Sequence, residues 1–304
     1  MSLVLLVFIK IFDDPEIFYF AAMRYFNFNG KILAEEVLIT GPNSRAIRYG
    51  DGLFETLKYK NGAPILNDDH FSRLWKGMRQ LKFEVPKLFT PERLTAEIHF
   101  LAQKNKLSEC RVRIEIIRGD GGVFDPINNH PNYIIQVWPL ALENGKLNDN
   151  GLQLCLYKDA CKVIDAFSNL KHNNFLPYLM AAFHARENKC NDALLLNSRG
   201  NICDSSIANI FMVSENTIYT PALAEGCIAG VMRKFLIASL SGTRYQIIEK
   251  ELSLTDVAAA DELFLSNSIY NIRWVAGFEN KTYKKNRVQE LDTYLRQTNP
   301  TIYC

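Results

Sequence analysis

Two Asn-Gly pairs, Asn29-Gly30 and Asn61-Gly62, each stand between strand-like runs: YFNF and KIL around the first, LFETLKY and APIL around the second. A tight two-residue hairpin turn needs positive φ at both central residues, and Asn and Gly supply it at the least steric cost. Each pair therefore reads as a β-hairpin with antiparallel strands. That sets the first part of the chain apart from a doubly wound parallel sheet, which would alternate strands and helices regularly.

The elements around the hairpins give the same class. Asp68-Asp69 can cap a helix whose apolar residues Phe71, Leu74, Trp75, Met78 and Leu81 follow helical spacing. A second helix is expected over about 91–106, followed by CRVRIEIIRG, which alternates as a half-buried strand, and then NYIIQVW. The polar stretch ALENGKLNDNG, 141–151, has the composition of a linker. It divides a small α+β domain, 23–140, from a larger α+β domain, 152–304. In the second domain a helix is expected from near Asn174, with Pro177 in its first turn and Leu176, Leu179, Met180 and Phe183 on one side. DALLLNS and NIC form a hairpin across Ser198-Arg199-Gly200, IANIFMV and TIYTP continue the meander, a helix opens at Gly230, and ELFLSNS is a late strand. The fold class is α+β.

Charge and cysteine usage remove several function classes. Thirty-five basic and 33 acidic residues leave a formal charge of +2, and no long basic stripe offers a surface for nucleic acid. Seven cysteines, an odd number with no CxxC, point to a reducing cytoplasm and no structural zinc. The five histidines show no HExxH, so no metal is expected. MSLVLLVFIK at the start is apolar, but Lys10 interrupts it and Asp13-Asp14-Pro15-Glu16 follow, so it is too short to span a bilayer. Residues 1–22 read as an extension without a catalytic role, with Met23 as the functional start.

Three segments carry chemistry. SNLKHNNF places Lys171 in a polar loop feeding a helix, NICDSSIANIF places Asp204 at the end of a hairpin strand, and IAGVMR starts a helix at Gly230. An amine for an imine, a carboxylate for a protonated ring nitrogen and helix-start amides for a phosphate are what pyridoxal 5'-phosphate requires of a protein. Each residue also has a plain reading: a surface lysine, a turn aspartate, an ordinary helix start. Arg73, beside the apolar stripe of its helix, is either a solvated arginine or a phosphate clamp.

RYGDGLFETLKYKNGAPILNDDHFSRL, SNLKHNNFLPYLMAA, DALLLNSRGNICDSSIANIF, YTPALAEGCIAGVMR and LFLSNS, in that order, resemble the class IV aminotransferases, the fold-type IV enzymes that use pyridoxal 5'-phosphate. The group holds branched-chain aminotransferases, D-amino-acid aminotransferases and aminodeoxychorismate lyases. The likeness runs from Met23 to about Val275. It implies a small α+β domain, a larger pseudo-barrel domain, the cofactor between them, and a homodimer whose partner helps close the site. By motif position, Lys171 would bond the cofactor and Arg73 would bind its phosphate, together with the amides of Val231 and Met232 and the Ser268 hydroxyl. Asp204 falls where most relatives carry glutamate, so either the ring sits closer or a water intervenes.

Other departures concern the substrate. Branched-chain members have FEG where this chain has Phe54-Glu55-Thr56, and a tyrosine that contacts the cofactor's phenolic oxygen aligns with Phe175. Val123 and Asp125 stand where D-amino-acid enzymes hold the substrate carboxylate with arginine and histidine. The resemblance implies transfer of an amino group between an amino acid, branched-chain members included, and a 2-oxo acid. Its alternative is aminodeoxychorismate lyase chemistry, which releases pyruvate and leaves 4-aminobenzoate for folate synthesis. A third outcome is a protein that keeps the fold and the cofactor and has lost turnover.

Overall fold

Asn29 and Gly30 (φ 52° and 83°) and Asn61 and Gly62 (51° and 82°) take the left-handed conformation that the hairpin turns require. In the computed structural model, which describes residues 25–303, they join β1 (Tyr25–Phe28) to β2 (Lys31–Ala34) and β3 (Gly52–Lys60) to β4 (Ala63–Pro64). The expectations for residues 1–22 and for Met23 lie outside the described residues. A short helix α1 (Arg45–Tyr49) precedes β3. Helices α2 (Asn67–Gln80) and α3 (Pro91–Lys104) are followed by β5 (Cys110–Arg118) and β6 (Pro131–Pro139). The six strands form one antiparallel sheet in the order β2-β1-β6-β5-β3-β4.

Helices α2 and α3 cover one face of this sheet. Phe71, Leu74 and Met78 of α2 meet Leu53 and Leu57 of β3 in a dry core, as their helical spacing requires. Asp68 and Asp69 do not cap α2. Leu66, at φ 53°, holds the cap position, and the two carboxylates lie in the first turn, where the positive end of the helix dipole favours them.

After one 3-10 turn, Leu142–Gly145, the chain enters a second sheet. Its strands are β7 (Leu152–Lys162), β8 (Asp192–Asn197), β9 (Ile202–Ser205), β10 (Asn209–Ser214), β11 (Thr217–Pro221), β12 (Gln246–Lys250), β13 (Glu262–Asn267), β14 (Asn271–Phe278) and β15 (Lys281–Thr282). The order is β12-β11-β10-β13-β14-β7-β8-β9, with β15 on β14. Helix α4 (Leu176–Glu187) crosses from β7 to its parallel neighbour β8, and α5 (Val231–Leu240) crosses from β11 to its parallel neighbour β12. Helices α6 (Leu254–Ala259), α7 (Asn286–Thr298) and α8 (Pro300–Tyr303) complete the chain. Turn residues announce hairpins, whereas parallel pairs depend on these longer crossovers.

The expected apolar side of α4 faces outward. Leu176, Leu179, Met180 and Phe183 are 66%, 53%, 42% and 56% exposed, while Tyr178, Ala181 and Ala185 point into the core. Small residues let α4 lie close to β7 and β8, which leaves the large side chains on the surface of the chain.

Candidate active site

Lys171 lies where the two sheets meet. Its carbonyl accepts a 2.8 Å hydrogen bond from the Phe54 amide, and the Asn173 amide donates to the Gly52 carbonyl at 3.0 Å. The loop before α4 is thus stitched to the start of β3, with an isolated antiparallel bridge between Leu53 and His172. Gly52 makes the approach possible: a Cβ there would meet the Ile116 carbonyl and stand 2.6 Å from Asn173 Nδ2. The Lys171 amine sits 4.4 Å from the centre of the Phe54 ring and 5.5 Å from that of Phe175. Although the residue is half-buried as a whole, desolvation of the amine at the base of the cleft, helped by the nearby charges of Arg73 and Arg113, lowers its pKa to about 7.

One end of the cleft is built for an anion. Helix α5 begins at Gly230 with no side-chain cap, so the first amides, those of Val231 and Met232 included, have no partner within the helix. A Cβ on Gly230 would collide with Asn209 Oδ1. Arg73 reaches the same place from α2. Its Nε and Nη2 donate to the two Glu55 oxygens at 2.7 and 2.6 Å, and its Nη1 donates to the Ala229 carbonyl at 2.9 Å. Three of the five guanidinium donors are so engaged, which leaves one N–H on each terminal nitrogen among the described contacts.

The other end centres on Asp204, which is 1% exposed. Its Oδ2 accepts from Lys162 Nζ at 3.1 Å, from the Tyr178 hydroxyl at 2.8 Å and from the Ile228 amide at 2.9 Å, and its Oδ1 accepts from Asn209 Nδ2 at 2.8 Å. Burial and the Asp204 charge push the Tyr178 phenol well above its ordinary value, so it stays protonated and donates. Three donors saturate Oδ2, and Oδ1 keeps the remaining lone pair. The short side chain of Asp204 is thus held in place by an ion pair with Lys162 and by the Tyr178 hydroxyl.

The wall facing Lys171 carries Arg113, whose guanidinium lies 3.9 Å from the Phe54 ring centre. Arg113 Nε donates to Glu115 Oε2 at 3.1 Å, and Asn173 Nδ2 donates to Glu115 Oε1 at 3.2 Å. The cleft thus holds a weakly basic amine, a cation within its electrostatic reach, aromatic walls, an anion-accepting helix start and a fixed carboxylate.

Of the residues expected from the sequence, Lys171, Arg73, Asp204 and the start of α5 at Val231 and Met232 come together here. Arg73 and Asp204 both act on the Lys171 amine through their charges. Ser268 lies half-buried in the turn after β13. Sequence reasoning missed Lys162, Tyr178, Asn209 and Arg113. Lys162 follows a register shift in β7 after Tyr157, which no local pattern reveals. Tyr178 could have been found, because a tyrosine one helical turn beyond Asn174 can turn inward as easily as its apolar neighbours.

The family model described as amino-transferase class IV matches residues 52–278, from the start of β3 to the end of β14. An aminodeoxychorismate lyase of Vibrio harveyi is 27% identical over 247 residues, covering 78% of this chain and 88% of that protein. A branched-chain-amino-acid aminotransferase of Salmonella typhimurium is 23% identical over 259 residues, covering 82% of each. The crystal structure of a branched-chain aminotransferase from Thermoproteus uzoniensis with norvaline superposes with a TM-score of 0.80 at 22% identity, covering 90% of this chain and 94% of that one, which shows a shared fold. With the family match extending over most of its length, the chain belongs to the class IV aminotransferases and is an enzyme.

Proposed function

We propose that this enzyme moves an amino group between an amino acid and a 2-oxo acid, with pyridoxal 5'-phosphate held between the two sheets and Lys171 as its acid–base group. The observation that carries the reading is the Lys171 amine, lowered to about 7 between an anion-accepting helix start and the Asp204 carboxylate. The residues fit the cofactor. Val231 and Met232 amides, the two remaining Arg73 N–H groups and the Ser268 hydroxyl would take the phosphate, and Asp204 Oδ1 would face the ring nitrogen. Once bound, the cofactor supplies a ring that accepts the electron pair left when the substrate's α-proton departs.

The chain does the rest. Because its pKa is lowered to about 7, the Lys171 amine is available in its neutral form near neutral pH, and Nζ would take the substrate's α-proton and later give a proton back. Arg113 orients the substrate carboxylate, and Phe54 and Phe175 keep water from the amine. The Lys162–Asp204 pair with Tyr178 holds the carboxylate still, so little reorganisation is needed when charge develops.

The small domain, 23–140, and the large domain, 152–304, are read as the two lobes around this cleft, joined by 141–151. The outward apolar face of α4 is read as the surface on which a second copy packs, giving a homodimer. Six cysteines among the described residues are free thiols, in keeping with a reducing cytoplasm. No helix among the described residues is long and apolar enough to cross a membrane.

Aminodeoxychorismate lyase chemistry is the second reading. The stacked aromatic pair Phe175 and Tyr178, with ring centres 4.3 Å apart, and the edge of Phe54 suit a substrate with its own ring, and the Vibrio harveyi relative is such a lyase. A panel of L- and D-amino acids with 2-oxoglutarate, run beside aminodeoxychorismate, separates the two. Amino transfer supports the first reading. Formation of 4-aminobenzoate without amino transfer replaces it with the second.

A further inference from the structure

Glu55 and Glu115 are both acids of the small sheet, and they lie on opposite faces of it: Glu115 meets Arg113 and Asn173, whereas Glu55 meets Arg73 and His70 and its charge also reaches the Lys171 amine. Glu55 is 1% exposed, and its neighbour Phe54 lies on the opposite face of β3. Taking a carboxylate out of water is costly unless other groups compensate, and here they do so completely. Arg73 binds both oxygens side-on, and His70 Nδ1 stands 2.7 Å from Oε2. Burial alone would raise the Glu55 carboxyl, but the charge and hydrogen bonds of Arg73 and the contact with His70 overcome it and hold it at about 2. Burial lowers His70, so the imidazole is neutral. A carboxylate only accepts hydrogen bonds, so Nδ1 carries the proton and donates it.

This arrangement decides what Arg73 can do. A guanidinium free to rotate would lose side-chain entropy on meeting a phosphate. Here Glu55 grips one edge of the planar fork, and the Ala229 carbonyl, one residue before Gly230, grips the Nη1 corner. The fork is fixed in one plane, with one free N–H on each terminal nitrogen beside the open start of α5. His70 in turn donates to Oε2, the oxygen that also accepts from Arg73 Nη2, and so fixes the carboxylate.

We propose that Glu55 and His70 are positioning residues for phosphate recognition: a buried carboxylate braced by a neutral imidazole holds the Arg73 guanidinium edge-on at the start of α5. They touch neither substrate nor cofactor and act through Arg73. The inference rests on the proposed cofactor, and it adds that the phosphate-dependent part of binding is set two residues behind the group that makes the contact.

The test compares pyridoxal 5'-phosphate with pyridoxal, which keeps the aldehyde and lacks the phosphate. Binding of each is measured by absorbance on the full chain for wild type, E55Q, H70L and H70N. Wild type should bind the phosphorylated form far more tightly. E55Q should lower that preference by about tenfold or more, the loss expected when a charge-assisted contact is misaligned; the Glu55 charge also reaches the Lys171 amine, and any change in aldehyde capture common to both ligands divides out of the ratio. H70L should lower the preference in the same sense. H70N should restore it, because the asparagine amide nitrogen can take the place of Nδ1. Should E55Q fail to fold, the H70L and H70N pair reads the same ratio. An unchanged preference in the variants, or equal loss of both ligands, overturns the proposal, the second because it marks a purely structural role. Wild-type protein that binds neither ligand refutes the cofactor reading instead, and this inference with it.

Discussion

The Lys171 amine lies 4.4 Å from the centre of the Phe54 ring, and the backbone amide of Phe54 holds the Lys171 carbonyl in place. An ammonium over an aromatic face is attracted to it, yet desolvation wins and the pKa falls to about 7. Brief reductive methylation of cofactor-free protein over a range of pH should therefore modify Lys171 with a midpoint near pH 7, as read by peptide mass mapping. Ordinary lysines should follow with midpoints near about 10.4. A Lys171 midpoint among the ordinary lysines contradicts the proposed environment.

The same amine weakens the cofactor-free fold. Its folded pKa is about 7 against an ordinary value of 10.5, so between those values the unfolded chain binds more protons and stability rises with pH. The penalty is fully present below about pH 7 and disappears as pH approaches the unfolded value. Lys171→Met should therefore stabilise the cofactor-free protein at pH 6, by roughly 2–4 °C if about 1 kcal/mol is regained. The gain should vanish near pH 10. Calorimetric melts at the two pH values check both sign and trend, and destabilisation at pH 6 would count against a desolvated amine.

Lys162 and Asp204 form a buried pair, with side chains 8% and 2% exposed. Removing one partner strands the other's charge. K162M alone should cost about 3–5 kcal/mol, while the double variant K162M/D204N should cost clearly less than the sum of the two single changes. Urea unfolding of the cofactor-free proteins measures the cycle. Additive losses would mean that the two groups do not act as a pair.

On α4, Leu179 and Phe183 stand outward at 53% and 56% exposure. If a second copy covers them, L179E/F183E should convert a dimer to a monomer in sedimentation velocity, with little change in far-ultraviolet circular dichroism. A variant that sediments as wild type removes α4 from the interface.

Much of the architecture was legible because turn chemistry is local. Asn29-Gly30 and Asn61-Gly62 adopt positive φ for reasons contained in the dipeptides themselves, and Phe71, Leu74 and Met78 go inward because their spacing leaves one face apolar. The outward turn of α4 was not legible, because periodicity identifies an apolar face without saying which neighbour covers it. The candidate site divides along the same line. Lys171, Arg73 and Asp204 stand in recognisable motifs, whereas Lys162 reaches Asp204 across 42 positions of sequence from a strand with a register shift. Glu55 was visible within Phe54-Glu55-Thr56, but its grip on Arg73, 18 positions away, depends on how α2 lies across β3.

Borohydride reduction of the protein loaded with pyridoxal 5'-phosphate, followed by proteolysis and mass mapping, tests the central claim most directly. The account predicts that a yellow absorbance bleaches and that the phosphopyridoxyl group appears on the peptide carrying Lys171, and not on that peptide in K171A. Label on another lysine, or none on a protein that remains active, would contradict it.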